Sequence, residues 1–266
     1  MNIQPVVEND INSIQHLQPE GWKDITFFFK KYINQPFSHP IKVTIDSVIV
    51  GIGTCIIHQD QAWLGHIIVD TRMRNKGIGK SITKHLINIA NKHQCGSIHL
   101  IATALGYPVY TSLGFKDFTE YIFFQKSNEI SFFEIDNRIQ PYSNTFLDEI
   151  FALDKSISGE DRQAEIIEYL DLGYYFINHN EVIGFYLPDF GEGLIIARDN
   201  IAGIELLKLH INTHDYVSIP KENTYASKFL LDYNFIEINR AKRLIIGEGN
   251  NIKLNCIFNR IAGNLG

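Results

Sequence analysis

Hydrophobic and polar positions follow two different periods along the first half of the chain. Apolar side chains at every second position, or in short runs rich in β-branched residues, are typical of strands, whereas a repeat of three or four positions is typical of amphipathic helices. These patterns predict strands at 3–7, 41–45, 48–57, 62–69, 97–103 and 117–125, and helices at 10–17, 20–33, 78–92 and 107–113. Strands interleaved with helices in this order indicate an α/β fold with a mixed sheet flanked by helices.

The predicted helix at 20–33 is rich in aromatic residues. Its apolar side chains recur at helical spacing and form one stripe, which consists of Trp22, Ile25, Phe28, Phe29 and Tyr32. A stripe of this kind normally faces the protein core. We therefore expect the run TFFFKKY to pack against the sheet instead of lining a cofactor site.

The pattern of the first half returns in the second half. Three pairs of segments match in the same order and at a similar offset: 2–17 with 138–153, 48–70 with 181–199, and 110–115 with 230–235. Short apolar matches also arise by chance, but three in one order favour two copies of a single fold. The sequence predicts domains at 1–132 and 133–266, with the boundary near the polar stretch QKSNEIS at 125–131.

Composition and charge limit the classes of function. The chain has 266 residues, of which 45% are hydrophobic and 20% charged, as in globular proteins. Its net charge of −6 argues against a general nucleic-acid binder, which needs a broad basic face. No apolar run approaches the length of a membrane span, and the polar N-terminal residues do not resemble a signal peptide. A cytoplasmic protein without nucleic-acid or membrane partners is expected.

The three cysteines are few and widely spaced. Cys55, Cys95 and Cys256 form no CxxC pair, so neither a disulfide framework nor a zinc site is predicted. Buried free thiols are the expected state in a reducing compartment. No metal site is predicted from the sequence.

A cationic turn with two glycines separates the strand that ends near Val69 from the helix that begins near Gly77. Its cations are Arg72, Arg74, Lys76 and Lys80. Backbone N–H groups in such a turn, together with those of the first helical turn, form an anion site. The Walker spacing GxxxxGK[ST] is absent, and Ile82 stands where a dinucleotide fingerprint needs a third glycine. The turn thus predicts phosphate binding of another kind, and an ordinary glycine turn is the alternative.

This turn and a segment downstream resemble one known family. Arg74-Asn75-Lys76-Gly77-Ile78-Gly79 is similar to the R/Q-x-x-G-x-G/A pyrophosphate loop of the GNAT acetyltransferase superfamily. ATALGYPVYTSLGF at 102–115 resembles the downstream segment of that superfamily, in which a tyrosine precedes Leu-Gly-Phe. The resemblance covers nearly all of residues 1–125, and the whole chain is similar to tandem GNAT proteins with a diverged second copy.

The resemblance implies acetyl-CoA as acetyl donor and a primary amine of a small molecule or peptide as acceptor. The backbone of Ile67, Ile68 and Val69 would bind the pantetheine arm and supply an oxyanion donor, and residues 74–79 with Lys80 would bind the pyrophosphate. Tyr110 matches the tyrosine that protonates the departing thiolate, and packing beside Phe115 is its alternative role. Two alternative functions remain open: a non-catalytic acyl-CoA sensor or assembly module with this fold, and an enzyme that uses another acyl-CoA. The sequence also leaves the oligomeric state open.

The acceptor side has weaker signals. His66, Ile68 and Asp70 are expected to share one strand face by alternation, and His66 is a candidate base or water relay or an ordinary hydrogen-bonded histidine. Asp161 and Arg162 are candidate substrate-binding residues. A helix N-terminal acid and a surface ion pair are the alternatives for these two.

The second copy is expected to have lost the coenzyme. Aligned on Phe235, its segment LLDYNF places Leu230 where Tyr110 stands and Asn234 where Gly114 stands. Its loop is shorter, and Asp199 is expected to cap the following helix and to repel a pyrophosphate. The predicted role of residues 133–266 is structural or to form one wall of the acceptor pocket.

Overall fold

The structure is a computed structural model that describes residues 1–127, 132–249 and 252–265. Part of the predicted boundary stretch, residues 128–131, lies outside the described residues. Two compact units are formed. The first contains Met1–Asp117, Leu244–Glu248 and Gly263–Leu265, and the second contains Phe118–Arg243 and Gly249–Ala262. These bounds differ from the predicted domains 1–132 and 133–266, because a compact unit contains the segments that contact one another, whatever their order in the sequence. The division into two sequence copies stays a prediction.

The first unit is built from strands and helices in the predicted order. Its elements are β1 (Asn2–Pro5), α1 (Ile25–Tyr32), β2 (Ser38–Ile45), β3 (Val48–His58), β4 (Gln61–Val69), α2 (Ile78–Lys92), β5 (Ser97–Ala102) and α3 (Tyr107–Thr111). Short 3₁₀ helices at Glu8–Asp10 and Asn12–Leu17 replace the predicted helix at 10–17. The predicted helix at 20–33 begins only at Ile25, because the Asp24 side chain accepts a hydrogen bond from the Thr26 N–H and caps it.

The sheet of the first unit has the strand order β1-β2-β3-β4-β5. All neighbours are antiparallel except β4 and β5, which are parallel, so the predicted mixed sheet is confirmed. Helix α2 packs on β3 and β4 with its apolar stripe. The buried core there includes Val43, Cys55, Leu64, Ile78, Ile82, Leu86, Leu100 and Phe115.

The aromatic stripe of α1 is only partly a core face. Ile25, Phe29 and Tyr32 are buried, as the spacing predicts. Phe28 is half-buried, and Trp22 precedes the helix and is 45% exposed. The expectation that all five residues face the core is therefore wrong at Trp22.

The second unit repeats the sequence of elements. Its elements are β6 (Lys116–Lys126), β7 (Ile139–Pro141), α4 (Leu147–Ser158), α5 (Gln163–Ile166), β8 (Tyr174–Asn178), β9 (Glu181–Leu187), β10 (Leu194–Ala197), α6 (Asn200–Ile211), β11 (Tyr216–Pro220), α7 (Thr224–Asp232), β12 (Phe235–Gly247) and β13 (Ile257–Asn259). Strand β6 belongs to this unit only from Phe118 onward, and β12 only up to Arg243. The order from β7 to β12 matches that from β1 to β6, which supports the predicted duplication.

In the second unit, the strand pairs β13/β10, β10/β9, β9/β8, β8/β7 and β6/β11 are antiparallel. One sheet has the order β13-β10-β9-β8-β7, and β6 pairs with β11. Helix α6 is apolar on most sides and lies in the core, where Leu206, Leu207 and Phe258 are fully buried. Strand β13 has no counterpart in the predicted repeat.

Membrane-spanning helices, cysteine pairing and metal clusters were considered from the sequence. Within the described residues, no helix has both the length and the apolar character that crossing a membrane requires. All three cysteines are free; Cys55 and Cys256 are buried, and Cys95 is half-buried. The described part of the chain also shows no cluster of three or more His, Cys, Asp or Glu side chains suited to a metal ion.

Candidate functional site

A β-bulge interrupts β4 at His66. Ile52 pairs with Ile68 and Thr54 pairs with Gly65, so two residues of β4 lie opposite one residue of β3. His66 adopts φ +48, a left-handed conformation that local strand geometry does not require. Ile67 and Val69 pack with the core that contains α2, whereas the His66 ring contacts Phe28 and Phe29 of α1. That His66, Ile68 and Asp70 share one face stays a prediction.

The strands β4 and β5 separate just before the bulge. Their parallel ladder consists of the pairs Gln61↔Ser97, Ala62↔Ile98 and Trp63↔His99. From Leu64 onward the described residues of β4 have no ladder partner on β5. The predicted pantetheine-binding residues Ile67, Ile68 and Val69 lie in this part of β4, and their binding of the coenzyme stays a prediction.

The turn after β4 is held by Asp70. Its carboxylate accepts hydrogen bonds from the Arg72 backbone N–H at 2.9 Å and from the Arg72 guanidinium at 2.7 and 3.1 Å. These bonds lower the pKa of Asp70 to about 2. Arg72 is thus paired with Asp70, which leaves Arg74, Lys76 and Lys80 as the other cations of the predicted anion site.

The turn then passes into α2 through two left-handed residues. Asn75 has φ +62 and Gly77 has φ +78, a conformation in which glycine is favoured because it has no Cβ. Gly77 is the N-cap of α2, makes no side-chain cap bond, and no acidic residue follows in the first turn. The N–H groups of Ile78, Gly79 and Lys80 therefore lie at a positive helix end that no side chain caps. This is the geometry expected of the predicted pyrophosphate site.

Tyr110 lies on α3 and is 9% exposed. Its ring contacts Phe115 edge-on with ring centroids 6.1 Å apart, so the packing role considered for it is present. Burial raises the pKa of Tyr110 to about 12, which keeps its hydroxyl protonated at neutral pH. A catalytic role as proton donor is compatible with this state and stays a prediction.

His66 is enclosed by aromatic side chains of α1 and the preceding turn. The centroid of its ring lies 4.9 Å from that of Phe28, 6.0 Å from Trp22 and 6.1 Å from Phe29. Its Nδ1 lies 3.0 Å from the Tyr32 hydroxyl oxygen. Burial lowers the pKa of His66 to about 4, so the imidazole is neutral at pH 7.

Two residues at this position were not recognised in the sequence. Tyr32 was placed on a core stripe, but its hydroxyl contacts His66 and also accepts a hydrogen bond from the Asn264 side-chain amide at 2.7 Å. Only the polar end of Tyr32 on an otherwise apolar stripe could have indicated this role. No local pattern distinguishes Asn264.

The proposed substrate residues of the second copy have partners within the chain. The Lys155 amine donates to Asp161 at 3.0 Å, so the ion pair considered as the alternative is present. Arg162 is 4% exposed and binds Asp154 through its guanidinium at 2.7 and 2.9 Å. Substrate binding by Asp161 and Arg162 stays a prediction that this geometry does not favour.

The helix of the second unit that corresponds to α2 is capped by its own chain. Asp199 precedes α6, and its carboxylate accepts a hydrogen bond from the Ala202 N–H at 2.9 Å. The predicted cap is therefore confirmed. Leu230, at the position that corresponds to Tyr110, is completely buried in the core.

Strand β13 fills the opening of the second unit that corresponds to the one between β4 and β5. It pairs with β10 through Ile195↔Asn259 and Ile196↔Ile257. On its other side, the Ser218 N–H of β11 donates to the Asn259 side chain at 2.8 Å. Phe258 contacts α6 so closely that a Cβ at Gly203 would lie 2.2 Å from its ring. Because β13 is absent from the repeat pattern, the sequence did not predict this insertion.

Comparisons with known proteins agree with this geometry. The family profile described as "Acetyltransferase (GNAT) domain" matches residues 13–133. No curated protein matches the sequence significantly.

Solved structures share the fold at low sequence identity. A candidate acetyltransferase from Pyrococcus horikoshii superposes with a TM-score of 0.84 at 18% identity, over 100% of this chain and 95% of that one. A GCN5-related N-acetyltransferase from Sphaerobacter thermophilus gives 0.65 at 10% identity, over 95% of this chain and 98% of that one. A GCN5-related N-acetyltransferase from Anabaena variabilis has a TM-score of 0.59 at 10% identity, over 92% of this chain and 72% of that one. At these identities the likeness concerns the fold alone. The profile match shows that residues 13–133 of this chain form a GNAT acetyltransferase domain.

Proposed function

We propose that the protein is an N-acetyltransferase that transfers the acetyl group of acetyl-CoA to a primary amine of a small molecule or a peptide by direct attack. The observation that carries this proposal is the uncapped N-terminus of α2 at Gly77, which follows a strand whose pairing with β5 ends at Trp63. A thioester on a long arm that ends in a pyrophosphate matches both parts of this site.

The chain's own residues would hold the coenzyme in two places. The backbone of Ile67, Ile68 and Val69 would hydrogen-bond the pantetheine arm along the edge of β4. The N–H groups of residues 74–79 and of Lys80 would bind the pyrophosphate, and the exposed Arg74 and Lys76 side chains would offset its charge. The absence of an acidic residue in the first turn of α2 suits an anion there.

The reaction requires two proton movements. The amine nitrogen bonds to the acetyl carbon while the carbon–sulfur bond breaks, and the thiolate takes the Tyr110 proton as the amine loses one. General acid catalysis of this kind contributes about 10²–10⁴-fold, and a thiolate, being a good leaving group, needs the lower part of that range. A backbone N–H on β4 would stabilise the carbonyl oxygen, which is worth about 3 kcal/mol for one such donor.

His66 would serve the acceptor amine. It is neutral at pH 7, because burial lowers its pKa to about 4, so it can accept a hydrogen bond from the amine or from a water. A pKa this low also makes it a weak base. Holding a water that carries the proton away is therefore favoured over direct deprotonation.

The second unit would not bind the coenzyme. Asp199 caps the helix end that would meet the pyrophosphate, and β13 occupies the place between β10 and β11 that the pantetheine arm would need. These observations support a stoichiometry of one acetyl-CoA per chain.

Two measurements test the proposed function. Calorimetry should show acetyl-CoA binding, and a thiol-release assay with a panel of amines, amino acids, short peptides and aminoglycosides should then identify acceptors. Binding without thiol release for any acceptor would favour the non-catalytic sensor or assembly module. Absence of binding would overturn the proposal.

A further inference from the structure

We infer that Asn264 is a positioning residue for the acceptor side of the reaction, acting on His66 through the Tyr32 hydroxyl; this inference rests on the proposed acetyl transfer. The Asn264 amide donates to the Tyr32 oxygen at 2.7 Å, and the same oxygen lies 3.0 Å from His66 Nδ1. Asn264 and Tyr32 are 232 positions apart in sequence, and Tyr32 and His66 are 34 positions apart. All three belong to the first unit.

Asn264 is held tightly against the bulge of β4. A Cβ at Gly65 would lie 2.4 Å from the Asn264 Cβ and 3.0 Å from its Cα, so only glycine permits this approach. Asn264 is 7% exposed and Tyr32 is 3% exposed, which places the hydrogen bonds in a protected environment. The neighbouring Gly263 has open space around the position of a Cβ.

The aromatic rings around His66 restrict it without selecting its orientation. Phe28, Trp22 and Phe29 contact the ring through apolar surfaces that accept either ring flip. The hydrogen bond to Tyr32 is directional and commits Nδ1 to the Tyr32 side. Nε2, to which the described residues give no hydrogen bond, is then the nitrogen offered to a water or an amine. Asn264 holds the Tyr32 hydroxyl and thereby the direction of Nε2.

The first test requires no enzymatic activity. Nitrogen-15 spectra of the histidine rings are recorded without acetyl-CoA, and His66 is assigned by comparison with His66→Gln. Asn264→Ala removes the donor to Tyr32, and Gly65→Ala displaces Asn264, so both should shift the His66 ring nitrogens. The matched controls Gly263→Ala, at the next residue, and Asn88→Ala, on the exposed face of α2, should leave them unchanged. Unshifted His66 nitrogens in folded Asn264→Ala would overturn the inference.

The second test is a double-mutant cycle on acetyl transfer. If Asn264 acts only through Tyr32, Tyr32→Phe and the double variant Tyr32→Phe/Asn264→Ala should lose the same activity, with an expected fall in kcat of about tenfold and an unchanged KM for acetyl-CoA. Losses that multiply would overturn the inference. Failure of the proposed function is recognised separately, because an inactive wild-type protein can still show the His66 shifts.

Discussion

The Asp199 carboxylate accepts a hydrogen bond from the Ala202 N–H at 2.9 Å, so the first turn of α6 is capped by a negative side chain. Gly77 provides no side chain at the corresponding end of α2. The same local element thus repels an anion in one unit and attracts one in the other. This difference supports the proposal that the coenzyme binds at α2 and not at α6.

We expect one acetyl-CoA to bind per chain. Calorimetric titration should give a stoichiometry near one, and Asp199→Ala should not add a second site, because β13 still fills the opening beside β10. The variant should lose about 1 kcal/mol of unfolding free energy as its helix cap is removed. Two molecules bound per wild-type chain would show that the second unit has kept a working site.

Gly77→Glu should abolish acetyl-CoA binding. The substitution places a carboxylate beside the pyrophosphate site, and its Cβ strains a residue with φ +78 by about 1–2 kcal/mol. Asn88→Glu is the control, because it adds the same charge on the exposed face of α2. Circular dichroism should show both variants folded. Wild-type affinity in Gly77→Glu would rule out the loop as the pyrophosphate site.

Tyr110→Phe should lower kcat by about 10–100-fold while the affinity for acetyl-CoA stays nearly constant, because the ring remains and only the proton is lost. Tyr107→Phe is the matched control on the same helix. It removes a hydroxyl that donates to Asp117 at 2.9 Å. Burial raises the Tyr110 pKa to about 12, so wild-type kcat should not decline from Tyr110 ionisation below about pH 11. Equal rate constants in Tyr110→Phe and wild type would leave Tyr110 with its packing role only.

The free energy of unfolding should fall as the pH is lowered from about 6.5 to 4. Burial lowers the pKa of His66 and of His210 to about 4, whereas both have ordinary pKa values near 6.5 when unfolded. Between these values the unfolded chain binds more protons, so acid favours unfolding by up to about 1.4 kcal/mol per pH unit for each histidine. Urea unfolding at pH 7.5 and pH 5 measures the difference in unfolding free energy, which should be smaller at pH 5.

The matched variant for that experiment is His210→Gln. His210 donates through Nε2 to the Tyr216 carbonyl at 3.1 Å and accepts through Nδ1 from the Tyr186 hydroxyl at 2.9 Å, and glutamine can keep one of these bonds. Its unfolding free energy should depend less steeply on pH than that of the wild type. An identical pH slope would mean that His210 is not protonated differently in the two states.

Gly203→Ala should destabilise the second unit. Its Cβ would lie 2.2 Å from the Phe258 ring, so β13 must shift or Phe258 must leave its buried position. Overpacking of this kind costs about 1–3 kcal/mol. Gly263→Ala, which meets open space, should cost far less in the same urea titration. Equal stability of the two variants would contradict the tight packing of β13 on α6.

Features set by a few neighbouring residues were predictable from the sequence. The mixed α/β order, the glycine turn before α2 and the Asp199 cap depend on hydrophobic period, on left-handed backbone at Gly77 and on a hydrogen bond that spans three positions. Each interaction lies within one element or turn, so its pattern is visible in a short window of sequence.

The parts that the sequence did not predict depend on register and on distant contacts. Alternation did not predict the bulge at His66, because a bulge opposite β3 exists only when the two strands pair in a particular register. The entry of β13 beside β10 joins residues more than sixty positions apart, as in the pair Ile195↔Asn259. Asn264 reaches Tyr32 across 232 positions. The local sequence therefore determined the uncapped helix end at Gly77 and the capped one at Asp199. The tertiary structure decided where β13 pairs and which side chains surround His66, because only folding brings such distant segments into contact.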